Sequence, residues 1–439
     1  MVRECADAVA ASFPSWAGRP LQERAERLQA ALRIMQSRQE VFTRSLTMEN
    51  GKPLRESKAE FRAALNDAAF QIDLALRTGD RTHVEGRDGR RVGEIRHSPL
   101  GMVVLITPWN YPLATVLRKL VPALLWGNTV LCKPAEQTPL SPALFFQCLD
   151  EAGIPDGVAR MLVADGPGMM EHLAGDPRLK GISFTGSTAA GRSIADRIGG
   201  ADVRLQLEMG GKNAMVVLDD ADLDHAVASL KTAAFTNAGQ WCLATSRVLV
   251  QESVYEPFRI RLQEALRDVR VGCGFDASST MGPLTTPEQY ERASEAVRSA
   301  RADGLEPVVW NPPTGQSGPY SGHYMGPVVF GRVPADAPLF REEVFGPVLA
   351  LTSFREAGEA LRLANASPYG LSFSVWTGDP VLAERFLNEV ACGAVHHNLH
   401  TGHRHAAMPV TGWKESGRGV PECGHYARDF YTHAKAVYR

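Results

Sequence analysis

The stretch "TNAGQWCLATSR" places Cys242 behind a run of small residues and directly after Trp241. A thiolate is a strong nucleophile, but a free cysteine is mostly protonated at neutral pH, so a working one needs activation. Thirty-four positions earlier, "LQLEMGGKNAMVVL" puts Glu208 after an apolar strand and ahead of Gly210 and Gly211. A carboxyl drawn partly out of water has its pKa raised toward the range of a general base. Further upstream, "TPWNYP" sets Asn110 at a strand end, where a side-chain amide can donate to an oxyanion. Each residue type also has a plainer use: a packing thiol, a strained acid, a turn-stabilising asparagine.

Two more stretches offer cofactor chemistry. "SFTGSTAAGRSI" places Gly186 and Ser187 at a strand end and Gly191 inside the next helix. Small residues at a strand–turn–helix junction let the backbone approach a pyrophosphate at a helix N-terminus. The spacing is not the dinucleotide fingerprint, and tight helix–strand packing explains it equally. "CKPAEQTP" sets Lys133 and Glu136 at another strand end, as a grip on ribose hydroxyls or as a solvated pair.

The elements that must hold these residues follow from periodicity. The first 80 residues carry apolar positions at helical spacing through "RAERLQAALRIM" and "ALNDAAFQIDLAL". From residue 101, β-branched runs such as "GMVVLITPWN" and "NTVLCKPAE" alternate with helical segments such as "LATVLRKLVPALLWG". That alternation predicts an α/β fold with a parallel, doubly wound sheet. A second alternating series starts near "AMVVLDDADLDHAVASLKTAAF" and predicts a second α/β domain. The C-terminal "ARDFYTHAKAVYR" reads as a strand-like tail of the kind that pairs with another subunit's sheet.

The 439 residues are 44% hydrophobic and 22% charged, ordinary for a chain that buries a large core, and the formal net charge is -2. This balance gives no reason to expect nucleic acid or a membrane surface as partner. Seven cysteines stand apart without C-x-x-C or zinc spacing, which predicts reduced thiols in a cytoplasmic protein and no metal site. Glu4 and Asp7 near the N-terminus argue against a signal peptide.

Taken in order, "TPWNYP", "PALLWGNTVLCKPAEQTP", "FTGSTAAG", "LEMGGKNAMVV", "NAGQWC", "EEVFGPV", "YGLS" and "GWKESGRG" make the chain resemble the aldehyde dehydrogenase superfamily over almost its whole length. The resemblance implies a cysteine that attacks an aldehyde, a nicotinamide dinucleotide that accepts hydride, and a glutamate-activated water that hydrolyses the thioester. Residue by residue, it makes Cys242 the nucleophile, Glu208 the base and Asn110 the oxyanion donor together with the Cys242 N–H. It assigns Lys133 and Glu136 to the adenosine ribose, and Thr107, Pro108, Trp109, Gly186 and Ser187 to the region of the pyrophosphate. Glu343 and Phe345 in "REEVFGPV" match a nicotinamide-ribose clamp. The implied architecture is a Rossmann-type NAD(P)-binding domain of residues 1–80 and 100–207, a catalytic domain of residues 208–410, and an oligomerisation element of residues 81–99 and 426–439 that builds a homodimer or homotetramer. NAD is expected ahead of NADP, because Glu136 repels a 2′-phosphate, although Lys133 pulls the other way.

The sequence departs from the family pattern in four places. It is expected to lack the first strands many members carry ahead of "SFPSWAG". Val410 and Thr411 replace a usual Phe-Gly, and Trp241 is bulky beside the nucleophile. Finally, "HHNLHTGHRHAAM" gathers His396, His397, His400, His403, Arg404 and His405 in what is expected to be a loop at the substrate entrance. Arg118, eight positions after Asn110 and so just over two helical turns on, is expected to face the same tunnel. It falls where succinate-semialdehyde dehydrogenases carry a carboxylate-binding arginine, so a small acidic semialdehyde is the expected substrate. Trp241 leaves a neutral or aromatic aldehyde as the alternative. A CoA-acylating enzyme is less expected because Glu208 is present. A non-catalytic protein on this fold would be free to lose Cys242, Glu208 or Asn110, and all three are intact.

Overall fold

The computed structural model describes residues 1–311 and 322–438. Five parallel strands, Met102–Ile106, Thr129–Lys133, Ala159–Met161, Leu179–Thr185 and Arg204–Glu208, form the body of a six-stranded sheet. Numbered along the chain they lie in the order 3-2-1-4-5, so the winding reverses between Met102–Ile106 and Leu179–Thr185. The loops leaving those two strands diverge and open a crevice at their carboxyl ends. The sixth strand, Gly417–Gly419, returns from far along the chain and pairs antiparallel with Arg204–Glu208.

Side-chain alternation divides the two faces of this sheet. Val103 and Leu105 join a core with Trp16, Phe42, Phe61, Leu117 and Phe145, from the helices Val2–Ala17, Gln39–Asn50, Leu54–Thr78, Pro112–Leu125 and Leu140–Glu151. Met102, Val104 and Ile106 pack on the opposite side with Leu131, Met170, Ile182 and Ile194. The helix Pro112–Leu125 is buried at every position except Arg118. Asn110 lies two residues before that helix begins, so the helical spacing expected between Asn110 and Arg118 does not exist. Pro112 opens the helix because a first-turn residue needs no N–H donor.

The second sheet has seven strands in the order Pro307–Trp310, Val328–Phe330, Val348–Phe354, Thr245–Gln251, Asn213–Val217, Ser372–Trp376, Ala394–His397, all parallel except the first. Its five central members are almost entirely buried runs, as strands covered on both faces must be. A third, antiparallel sheet joins Arg81–Glu85, Arg91–Pro99 and Thr432–Tyr438. The tail thus pairs within its own chain, after a short helix, Tyr426–Tyr431, that the sequence reading took as strand. Arg204 fixes the turn between them, its Nη1 donating to the carbonyls of Asp429, Phe430 and Thr432 at 2.7, 2.8 and 2.8 Å.

One buried ion pair ties the helical layer to the crevice. Lys52 Nζ lies 2.6 Å from Glu60 Oε2, and both side chains are out of water. The other oxygen of Glu60 accepts from the N–H groups of Leu113 and Ala114 at 3.1 and 3.2 Å, satisfying two donors that a helix N-terminus leaves open. Removing one partner leaves the other as an uncompensated buried charge. Lys52→Met is therefore expected to destabilise the protein by about 3–5 kcal/mol, seen as a lowered urea midpoint; a shift equivalent to less than about 1 kcal/mol would refute this role.

Candidate active site

A cavity of about 1310 Å³ runs between the two main sheets, and it gathers most of the residues singled out in the sequence. Pro108, Trp109, Asn110, Arg118, Gly186, Ser187, Trp241, Cys242, Glu343 and Phe345 all line it. Thr107 is buried behind the wall, its N–H donating to the Lys133 carbonyl at 3.1 Å. Glu208 is buried at the end of its strand, beside Met209 and Gly210, which do line the cavity. Lys133 and Glu136 pair with each other, Nζ to Oε1 at 2.7 Å, and stay outside the cavity wall.

Cys242 follows a turn with unusual backbone. Asn237, Ala238 and Gly239 have φ of 51°, 54° and 74° in succession. Two of them carry a Cβ, and left-handed φ costs such residues about 1–2 kcal/mol each. The small residues therefore serve a chain reversal as well as leaving space. At Gly239 a Cβ would stand 2.4 Å from the Gly346 carbonyl oxygen, so this position admits no larger residue. The turn is pinned from several sides. The Asn237 N–H donates to Glu56 Oε2 at 2.8 Å, and Gln240 Nε2 donates to the Asn237 carbonyl at 2.9 Å. Beyond it, Asn213 Nδ2 donates to the carbonyls of Cys242 and Ala244 at 2.7 and 2.8 Å.

Asn110 is joined to this turn. Its Nδ2 donates to the Gln240 carbonyl at 2.9 Å, leaving the second amide hydrogen available. Its carbonyl accepts from Lys52 Nζ at 2.7 Å and from Asn237 Nδ2 at 3.1 Å. The oxygen of its side chain accepts from the Tyr111 N–H at 3.1 Å, which fixes the orientation of the amide.

Electrostatics at the site favour neutral forms. Burial pushes the Cys242 thiol up to about 11, Arg118 and its own backbone N–H pull it down, and Glu208 and Glu343 add to the rise. Burial, then Glu422, holds the Glu208 carboxyl well above the usual carboxylate range against the pull of Lys119 and Arg118. Glu208 Oε2 has no hydrogen-bond partner in the protein. Glu343 is also raised, by burial first, although its carboxylate accepts from the Gly211 N–H at 2.8 Å.

On the side that the sequence assigns to a cofactor, the hydroxyls of Thr107 and Thr185 are buried without partners among the described residues. Ser187 caps the helix Thr188–Ile198, accepting from the Ala190 N–H at 3.2 Å, and presents that helix terminus to the crevice. Trp109 and Phe345 meet edge to face at 5.6 Å across it. Thr185, Gly186, Ser187 and Glu343 line this strip of the cavity and are the residues that could hold a dinucleotide there.

On the substrate side the structure corrects and extends the sequence reading. His396 and His397 belong to the strand Ala394–His397 and not to a loop. The His396 ring lies 2.9 Å from the carbonyls of both Phe373 and His403, away from the cavity. Only His400 and His405 of the five histidines line the cavity, with Arg404 and Val410. Among the described residues no cluster of His, Cys, Asp or Glu is arranged to hold a metal ion. Asp67 and Tyr111 line the cavity as well and were not singled out. Asp67 sits on the helix Leu54–Thr78 in a stretch whose amphipathic spacing reads as packing alone, so no local signal marks it.

The raised thiol makes a direct prediction. With a pKa near 11, about a thousandth of Cys242 is thiolate at pH 8 in the ligand-free protein. Iodoacetamide labelling of Cys242, followed by peptide mass spectrometry, is expected to accelerate about tenfold per pH unit from pH 7 to 10. A plateau below pH 9 would contradict this environment.

Comparison with known proteins agrees with the geometry. The Aldehyde dehydrogenase family pattern matches residues 1–437. The 2,5-dioxopentanoate dehydrogenase of Saccharolobus solfataricus is 34% identical over all of this chain and 91% of its own. The alpha-ketoglutaric semialdehyde dehydrogenase of Bacillus subtilis is 34% identical over 95% of this chain and 85% of its own. The solved structure of betaine aldehyde dehydrogenase from Staphylococcus aureus in complex with NAD+ superposes with a TM-score of 0.93 at 30% identity, covering 99% of this chain and 86% of that one. The chain belongs to the aldehyde dehydrogenase family, NAD(P)+-dependent oxidoreductases acting on the aldehyde group.

Proposed function

We propose that this enzyme oxidises a small aldehyde carrying a carboxylate, and that Cys242, Glu208 and Asn110 do the chemistry. The Cys242 thiolate attacks the carbonyl carbon. The oxyanion that forms takes hydrogen bonds from the free amide hydrogen of Asn110 and from the Cys242 N–H, the same N–H that already favours the thiolate. A bound nicotinamide dinucleotide supplies the hydride acceptor. Glu208, whose buried Oε2 has no protein partner, takes a proton from the water that hydrolyses the thioester. That unpartnered oxygen also favours hydrolysis over transfer to CoA.

The observation that carries the substrate class is Arg118. It is the one residue of its helix not buried, and it lines the same cavity as Cys242. Its nearest carboxylate oxygens, on Asp67 and Glu422, lie at 3.8 and 4.0 Å, outside hydrogen-bond distance, and its Nε has no partner. A guanidinium offers a planar fork of donors matched to a carboxylate. Two relatives named for acidic semialdehydes support this reading. Lys133 and Glu136 are assigned to the adenosine ribose, with NAD as the expected cofactor. The protein is read as a cytoplasmic homodimer or homotetramer, assembled through the third sheet, whose outer strand Arg81–Glu85 is exposed throughout.

Trp241 favours one competing reading. It packs over Gly402, where a Cβ would stand 1.9 Å from the indole, and its Nε1 donates to the Ala233 carbonyl at 3.1 Å. Its polar atom is thus satisfied in the wall, and Tyr111 lies 6.3 Å away between ring centroids, a lining suited to an aromatic aldehyde.

Two experiments decide. Glu208→Gln is expected to give a burst of NAD(P)H and then stall at the thioester, while Cys242→Ala gives no burst; undiminished steady turnover in either variant would refute the assignment. For the substrate, kcat/KM is compared for succinate semialdehyde and butanal in wild type and Arg118→Leu. Loss of a buried charge-assisted pair is expected to cost about 2–5 kcal/mol, roughly 30-fold or more, for the acid alone. A wild type without preference for the acid would turn the choice to a neutral or aromatic aldehyde.

A further inference from the structure

The wall that carries Arg118 holds a second arginine from a distant part of the chain. Arg404 lies beyond the strand Ala394–His397 and lines the same cavity. Its Nη2 is bonded to Asp67 Oδ2, and Arg118 Nε approaches that same oxygen at 3.8 Å. One carboxylate, on the helix Leu54–Thr78, therefore faces two guanidinium groups delivered by different elements. Among the described residues the only other bond that Arg404 makes from its fork is a contact of Nη1 with Cys423 Sγ at 3.6 Å, so donors remain for a ligand.

We propose that Arg404 is a specificity-determining residue, forming with Arg118 a two-guanidinium clamp for one substrate carboxylate, with Asp67 as the positioning residue that holds Arg404 at the wall. The proposal deepens the reading of an acidic substrate and rests on it. The charges on this wall agree. Arg118, Arg404 and Lys119 are three cations, and they face two carboxylates, Asp67 and Glu422, with Lys119 bonded to Glu422. The neighbouring thiols do not alter that sum, since burial pushes both Cys242 and Cys423 up to about 11. Burial likewise favours the neutral form of Glu208. One positive charge is left over on a half-buried surface, where an unpaired charge is costly. A single carboxylate neutralises it; an uncharged aldehyde does not.

Arg404 could instead serve only to tie its loop to the helix carrying Asp67. The two roles separate in the ratio of acid to neutral substrate, because loosening the loop lowers turnover of both. The experiment measures kcat/KM for succinate semialdehyde and for butanal in wild type, Arg404→Met, Arg404→Lys and Arg118→Leu. In Arg404→Met the acid-to-neutral ratio is expected to fall at least about tenfold, through KM for the acid. Arg404→Lys is expected to fall less, since the charge stays while the planar fork is lost. Equal losses on both aldehydes, or an unchanged ratio, overturn the clamp. Should Arg404→Met not fold, Arg404→Lys alone decides by the same ratio. A ratio that collapses in Arg118→Leu and holds in both Arg404 variants sinks this inference and leaves the acidic substrate standing. A wild type that shows no acid preference sinks both.

Discussion

The carbonyl oxygen of Asn110 is the joint on which the site depends. It accepts from Lys52 in the helical layer and from Asn237 in the turn before Cys242. Asn110 leaves a strand of the first sheet, while Cys242 lies just ahead of the strand Thr245–Gln251 of the second. Catalysis at a thiol needs an oxyanion donor fixed to within a fraction of an ångström, and a donor and thiol on separate sheets drift unless something couples them. The coupling is this oxygen, together with the reciprocal bond from Asn110 Nδ2 to the Gln240 carbonyl. Lys52 is held in turn by Glu60, which caps the helix that follows Asn110. Helical layer, crevice and turn are thus braced through buried polar groups bonded to one another, the kind of network that rigidifies a site.

The same network accounts for the strain before Cys242. A succession of left-handed residues persists only where surrounding contacts over-determine it. Here Glu56 takes the Asn237 N–H, Gln240 takes its carbonyl, and Thr285 donates to Gln240 Oε1 at 2.9 Å. The turn brings Cys242 to the cavity, and its own peptide N–H, which favours the thiolate, is one of the two proposed oxyanion donors.

Burial sets the resting state. Thiol and glutamic acid are both pushed toward their neutral forms by the same loss of water, and Glu208 adds to the rise of the thiol. Two anions side by side in a dry cavity are unfavourable. A protonated resting site, with Arg118 and Lys119 as the opposing cations, avoids that cost. Arg118 therefore bears on the thiol as well as on the proposed substrate carboxylate.

Much of this protein was legible in its sequence. The helical first 80 residues, the two alternating series and the strand ends bearing Asn110, Gly186 and Glu208 follow from local periodicity, because a strand or helix imprints its own period on the residues that form it. Cys242, Glu208 and Asn110 could be singled out because motif residues sit at fixed places relative to such elements, and the structure brings them to one cavity or its wall. Other features were settled only by tertiary structure. The reversal of strand order that opens the crevice, the return of Gly417–Gly419 to the first sheet and the pairing of the tail with Arg91–Pro99 are long-range matters of topology. So is the meeting of Asp67, Arg118 and Arg404, which lie far apart in the chain and carry no shared local pattern. The histidine-rich segment shows the limit from the other side: its composition suggested one polar loop, and packing sent His396 into a strand and left His400 and His405 at the cavity. Local sequence fixes which way a residue can face within its element; only the packing of elements against one another decides what it faces.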